Sequence, residues 1–261
     1  METIIVIPAR YGSSRFPGKP LATVAQRSLL ERVWRIGSAV PGVSRVVVAT
    51  DDERIAAHVH SFGGTSVMTS DACRNGSERV YEALVALKES PRVVVNLQGD
   101  AVLMPPWVIG ALVEEMRKDP SVQIATPAVQ LSKAQYANMQ NSKGSGVVSG
   151  TTVTFAKNRD ALYFSKGIIP FIRSLPAGDM SPVFQHIGVY AYTTEALKRY
   201  IDLPMGQFEE VEQLEQLRAL ENGIPIRVVE VSLKGRTMWS VDNPEDVTRV
   251  EEIIRAEGEL V

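Results

Sequence analysis

Short β-branched runs bounded by turn residues recur along the first half of the chain, and the segments between them carry the apolar spacing of amphipathic helices. Thr3 to Pro8, Arg45 to Thr50 and Arg92 to Leu97 read as strands, the last apolar enough to be covered on both faces. Ser28 to Ala39, Asp52 to Phe62 and Gly76 to Lys88 read as helices. Pro105-Pro106 opens a further helix that reaches Lys118, because proline is tolerated in a first helical turn. The second half is more mixed. Strands are expected near Val122 to Val129, Val147 to Ala156, Ile187 to Tyr192 and Ile226 to Val231, and helices over Thr194 to Ile201, Phe208 to Asn222 and Pro244 to Ala256. Gln140 to Gly146 reads as a polar, mobile loop. Strand and helix alternating at this spacing predict one α/β domain with a mostly parallel sheet, helices on both faces and a ligand crevice at the carboxyl ends of the strands. No internal repeat, low-complexity tract or linker interrupts it.

Composition narrows the function. The 28 Lys and Arg are balanced by 30 Asp and Glu, a formal charge of -2, so no global basic field exists to hold nucleic acid. The opening apolar run is too short for a secretion signal or a membrane span, and nothing else approaches the roughly 18 apolar residues a spanning helix needs. The single cysteine, Cys73, excludes a disulfide framework and any multi-cysteine metal site, which fits the reducing cytoplasm.

Two segments carry candidate chemistry. After the first strand comes Pro8-Ala-Arg-Tyr-Gly-Ser-Ser-Arg-Phe-Pro-Gly-Lys-Pro-Leu21, a loop holding Gly12, Gly18, Ser13, Ser14 and the cations Arg10, Arg15 and Lys19. Glycines and small hydroxyl residues let backbone N–H groups turn toward an anion, and three cations neutralise several phosphate charges, so the loop predicts a triphosphate cradle. It has neither the Walker A nor the dinucleotide-binding spacing, and a basic surface loop is the plainer alternative. The second segment, Asn96-Leu-Gln-Gly-Asp100, puts a carboxylate at the end of a central strand, where it can hold magnesium against nucleotide phosphates. A second carboxylate is needed, and Asp242 supplies one, although Asp before Asn-Pro also suits a helix N-cap. His58 and His60 read as surface residues, Cys73 lacks a companion base, and Trp34, Trp107 and Trp239 read as core or subunit contacts.

These segments, together with Asn75-Gly-Ser-Glu-Arg79, Ala161-Leu-Tyr-Phe-Ser-Lys166, His186-Ile-Gly-Val-Tyr-Ala-Tyr192, Leu214-Glu-Gln-Leu-Arg218 and Val241-Asp-Asn-Pro-Glu-Asp246, occur in the order and spacing of the 3-deoxy-manno-octulosonate cytidylyltransferases, or CMP-Kdo synthetases. The resemblance spans nearly the whole chain. It implies a Rossmann-like nucleotidyltransferase fold, with a nucleotide-binding part over about 1–130, an inserted acceptor-binding and dimerisation part over about 131–225, and a return to the main sheet over about 226–261. It implies magnesium-dependent transfer of CMP from CTP to a free acidic keto-sugar, a step of lipopolysaccharide biosynthesis, by a homodimer. By position it assigns Pro8, Ala9, Arg10, Ser13, Arg15, Lys19, Asn75, Ser77, Arg79 and Gln98 to the nucleotide. Gln98, Lys166, His186, Tyr190, Glu215 and Gln216 fall to the acceptor, and Asp100 and Asp242 to the metal. Lys19, Arg10, Arg15 and the two aspartates form the catalytic set.

The chain departs from that pattern on the acceptor side. Ala101-Val102 replaces Glu-Pro after Asp100, the segment Cys73 to Arg79 keeps the family's glycine and Glu-Arg pair but loses its histidine, Thr152 replaces a lysine, and Lys166 replaces an arginine. Lysine cannot grip a carboxylate at two points as arginine does. The nucleotide chemistry is expected to be kept while the acceptor could be Kdo or a Kdo-like acid. The alternatives are a phosphorylated sugar or phosphonate acceptor, or a non-catalytic paralogue that binds nucleotide without turnover.

Overall fold

The computed structural model describes residues 2–12, 15–146 and 150–261. In chain order its elements are β1 (Thr3–Ala9), the small hairpin of β2 (Thr23–Val24) and β3 (Arg27–Ser28), α1 (Leu29–Ser38), β4 (Arg45–Thr50), α2 (Glu53–Ser61), β5 (Thr65–Met68), α3 (Gly76–Leu87), β6 (Val93–Asn96) and α4 (Pro106–Lys118). Then follow β7 (Ile124–Ser132), α5 (Lys133–Gly144), β8 (Thr152–Phe155), β9 (Ala161–Ser165), β10 (Met180–His186), β11 (Tyr190–Tyr192), α6 (Thr194–Ile201), α7 (Gln207–Glu212), α8 (Leu217–Glu221), β12 (Ile226–Glu230) and α9 (Pro244–Glu257). Side-chain caps start several helices: Ser28, Asp52, Asn75 and Thr193 each accept from a backbone N–H two or three residues on, which satisfies donors the first turn leaves unpaired.

Ten strands join in one sheet in the order β5-β4-β1-β6-β11-β7-β10-β8-β9, with β12 on the other edge of β7. Strands β5, β4, β1 and β6 are mutually parallel, while β11 runs antiparallel to both β6 and β7. It follows that β7, β12 and β8 share the direction of β1, and that only β9, β10 and β11 oppose it. The expected mostly parallel sheet is therefore present, with the reversed strands confined to the second half.

The two-residue period of the strands divides the core into two layers. Ile5 and Ile7 of β1, and Val93 and Val95 of β6, pack on one face beneath Leu29, Val33, Ile109, Leu112 and Ile253. Ile4, Val6 and Val94 point the other way, onto Val80, Leu84, Leu197 and Tyr200. Both faces are covered, so β1 and β6 are buried along their length and their carboxyl ends, Ala9 and Asn96, open into the loops that carry the candidate chemistry.

Three expectations are corrected. Gln140 to Gly144 is not loop but the end of α5, which a capping box between Ser132 and Gln135 initiates. Only Tyr136 of that helix is buried, so it has no apolar stripe to read. Phe208 to Asn222 is two short helices, because Gln213 takes a left-handed φ of 52° between α7 and α8. The strand expected from Ile187 begins only at Tyr190, and β10 before it, which contains Pro182, was not anticipated; nor were β5 and β9. Of the strand expected at Val147 to Ala156, residues 147–149 lie outside the described residues and the rest contains β8. Among the described residues no helix is long and apolar enough to cross a membrane.

Candidate active site

The loop after β1 folds back on itself. Gly18 N donates to Tyr11 O at 3.0 Å, and Gly18 lies so close to the Tyr11 ring that an added Cβ would meet it at 3.2 Å. With φ at 72° and that contact, only glycine fits here. The Arg54 guanidinium covers Tyr11 at 3.4 Å from the ring centroid. The loop then closes in a 3-10 turn, Lys19–Leu21, which directs Lys19 back across the sheet. Lys19 Nζ donates to Asp100 Oδ2 at 2.8 Å and to Val241 O at 2.9 Å, and an Arg15 nitrogen donates to Asp242 Oδ1 at 2.9 Å. Loop cations thus sit on both candidate metal carboxylates, and Val241 N reaches Asp100 O at 3.4 Å. Asp100 and Asp242, 142 positions apart in sequence, line one cavity.

That cavity, about 280 Å³, brings together Pro8, Ala9, Arg10, Arg15, Lys19, Asn75, Arg79, Gln98, Asp100 and Asp242. Ser13 lies outside the described residues. Asn75 caps α3, its Oδ1 accepting from Glu78 N at 2.9 Å. Arg79 is 3% exposed and spends its guanidinium on Thr69 Oγ1 at 2.7 Å and Asp51 at 2.9 Å, so it stiffens the wall. The expectation for Ser77 is corrected. It is fully buried behind the first turn of α3, accepts from Asn96 Nδ2 at 3.3 Å and faces Glu215, because the helix turns position 77 toward the sheet. The sequence reading missed Cys73 and Arg74 on this wall. Burial, with a hydrogen bond to Glu82, pushes the Cys73 thiol up to about 12, so it stays protonated and inert.

A second cavity of about 1000 Å³ adjoins the first, the two sharing Gly76, Gln98 and Asp100. His186, Tyr190, Glu215 and Gln216 line it, as expected for the acceptor side. Thr126 Oγ1 donates to Val189 O at 2.8 Å, so its oxygen accepts from His186 Nε2 at 2.8 Å. This assigns the Nε2–H tautomer and leaves Nδ1 as an acceptor. Burial, helped by the charge of Lys166, lowers the imidazole to about 3, so it is neutral at working pH. Burial likewise raises the Glu215 carboxyl and, further, the Tyr190 phenol. Gln216 Nε2 is buried without a partner. The left-handed Gln213 and the break it makes between α7 and α8 are what point Leu214, Glu215 and Gln216 at the cavity.

Lys166 requires a second correction: it is not on the lining. Its backbone N–H donates to Glu212 Oε2 at 2.8 Å and its carbonyl accepts from Lys143, while its charge still reaches His186. The reading also missed Gln135, Gln185, Gln213 and the segment Ser232 to Ser240, with Lys234 and Trp239, which closes one side. Proximity in sequence to Asp242 was the available signal for that segment.

Known proteins resemble this chain along most of its length. The cytidylyltransferase family profile matches residues 4–230. The chain is 56% identical over 261 residues to a 3-deoxy-manno-octulosonate cytidylyltransferase of Maricaulis maris, covering all of both chains. It is 39% identical over 260 residues to an 8-amino-3,8-dideoxy-manno-octulosonate cytidylyltransferase of a Shewanella species, covering 98% of this chain and 100% of that one. Among solved structures, a CMP:2-keto-3-deoxy-manno-octonic acid synthetase complexed with CTP superposes with a TM-score of 0.86 at 35% identity, covering 98% of this chain and 100% of that one.

Proposed function

The chain belongs to the cytidylyltransferase family, and from that premise we propose that it transfers CMP from CTP to the anomeric hydroxyl of 3-deoxy-manno-octulosonate, releasing pyrophosphate. The observation that carries this reading is the junction of the two cavities at Gly76, Gln98 and Asp100, beside the Lys19 ammonium. A triphosphate in the smaller cavity presents its α-phosphorus at that junction, and an acceptor in the larger one approaches from the opposite side, as in-line displacement requires.

Arg10, Arg15 and Lys19 neutralise the triphosphate, and the Pro8–Ala9 backbone, Asn75 and the wall stiffened by Arg79 hold the nucleoside. Gln98, His186, Tyr190, Glu215 and Gln216 orient the acceptor, the neutral His186 offering a hydrogen-bond acceptor without a charge. The acceptor oxygen forms a bond to the α-phosphorus while the bond to the bridging oxygen of the leaving pyrophosphate breaks. No covalent enzyme intermediate is involved.

Asp100 and Asp242 suit magnesium, which takes one or two protein carboxylates and completes its shell with phosphate oxygens and water. Bound there, magnesium supplies charge neutralisation on the phosphates. The triphosphate competes with both carboxylates for Lys19 and Arg15, so nucleotide binding frees the aspartates for the metal.

Family resemblance further supports a cytoplasmic homodimer. The test is CTP-dependent pyrophosphate release across a panel of acceptors: 3-deoxy-manno-octulosonate, its 8-amino analogue, a phosphorylated sugar and a phosphonate. Release with the free keto-acid sugars alone is the expected result; release only with the phosphorylated or phosphonate acceptors overturns the reading.

A further inference from the structure

Residues 232–243 form an irregular strap between β12 and α9 that closes one side of the acceptor cavity and ends in the nucleotide cavity. It is pinned along its length. Trp107 Nε1 donates to Ser232 O at 3.0 Å, and Arg236 donates to the carbonyls of Glu257, Gly258 and Glu259 at and just beyond the far end of α9. At its last turn one carboxylate engages three donors. Asp246 Oδ1 accepts from Trp239 Nε1 at 2.9 Å, while Oδ2 accepts from the backbone N–H of Asp242 at 2.9 Å and of Asn243 at 2.8 Å. Trp239 lines the acceptor cavity and Asp242 the nucleotide cavity. A helix cap accounts for the bond to Asn243, since Asp246 is the third residue of α9. It does not account for the other two, which go to residues outside the helix.

We propose that Asp246 is a positioning residue that fixes the Asp242 carboxylate in the nucleotide cavity and the Trp239 ring in the acceptor cavity through one anchor, a role that rests on the cytidylyltransfer reading above. The chemistry of the anchor is specific. Donors face both carboxylate oxygens, so both must accept. Asparagine offers one acceptor and one donor and must lose either Trp239 or the two backbone groups. Glutamate keeps both acceptors on a longer stem.

Asp246→Asn, Asp246→Glu and Trp239→Phe are compared with Val250→Ala, which weakens the buried face of α9 and touches neither cavity. Asp246→Asn is expected to weaken magnesium-dependent CTP binding in calorimetry at least fivefold, to raise half-saturating magnesium for turnover by a similar factor and to raise the acceptor KM, with partial recovery in Asp246→Glu. Trp239→Phe keeps the link to Asp242, and is expected to raise the acceptor KM at least threefold while CTP binding stays unchanged. Val250→Ala is expected to lower Tm without moving these constants. If Asp246→Asn loses Tm as Val250→Ala does, but its CTP affinity and acceptor KM stay within twofold of the parent, Asp246 caps α9 and nothing more. A parent chain that binds CTP with magnesium but turns over no acceptor sinks the transfer reading, while the calorimetry still decides the role of Asp246. Absence of CTP binding by the parent overturns both.

Discussion

Lys19 shows how one side chain is committed by geometry. Its ammonium is mostly buried between Asp100 Oδ2 and Val241 O, in a cavity that also holds Asp242 and four arginines. A cation held there acts on phosphate charge that grows as pyrophosphate leaves, so its contribution falls on turnover more than on substrate binding. Lys19→Ala is expected to lower kcat at least about 100-fold, measured as pyrophosphate release at saturating CTP and magnesium; more than a tenth of parental turnover removes Lys19 from the catalytic set. His186 illustrates the opposite commitment, to neutrality. Its folded-state value of about 3 lies below the unfolded value near 6.5, so between these the unfolded chain binds the extra proton. The stability of neutral burial is therefore intact above pH 6.5 and is lost progressively as pH falls below it. His186→Asn removes that proton linkage, and its Tm is expected to fall less between pH 7.5 and 5.5 than the parent's. Equal falls in scanning calorimetry would show that His186 protonates freely when folded.

At the scale of elements, what the sequence makes legible depends on whether an element announces its own burial. Strands β1, β4 and β6 carry the continuous apolar run of strands covered on both faces, helices α1, α3, α4 and α6 carry the 3.6-residue apolar period, and all are legible to within a residue or two. That the basic loop and Asp100 meet at one cavity was legible for the same reason, since each follows the carboxyl end of one of those strands. Elements that bury little leave no such trace: α5 hides only Tyr136, and β5 and β9 lie at the edges of the sheet. The split of α7 from α8 was illegible because it turns on a left-handed glutamine, which no propensity favours. Likewise Ser77 was assigned to a cavity by position, yet the local turn of α3 aims it at Asn96 and Glu215. Since α5 draws so little from the core, its capping box matters more than usual: Ser132 Oγ accepts from Gln135 N at 3.2 Å, and Gln135 Oε1 from Ser132 N at 2.9 Å. Ser132→Ala is expected to cost about 1 kcal/mol locally, seen as faster amide exchange over Lys133 to Gly144 with unchanged exchange in β1 and β6. Unchanged exchange in α5 would mean that tertiary contacts hold it.

For the whole molecule the open question is what covers the far end of the sheet. Strand β9 ends the sheet opposite β5, and an edge strand presents unpaired N–H and C=O groups that proteins cover or disrupt. Helix α7 lies beside it, with Ser165 Oγ donating to Glu212 Oε1 at 2.8 Å and Phe208 meeting Tyr163 edge to face. Yet Leu162 on the strand and Phe208 and Val211 on the helix stay exposed, Val211 at 76%. Apolar groups grouped on a sheet edge suit an interface with a second copy. Light scattering is expected to give twice the 28.6 kDa chain mass for the parent, and Val211→Asp, which places a charge in that contact, is expected to shift it to the monomer. No residue lining the nucleotide cavity lies on β9 or α7, so the monomer should still bind CTP within about threefold of the parent, by the usual independence of distant sites. A parent that is monomeric at micromolar concentration, or a Val211→Asp variant that remains dimeric, would show that another surface covers this edge or that none does.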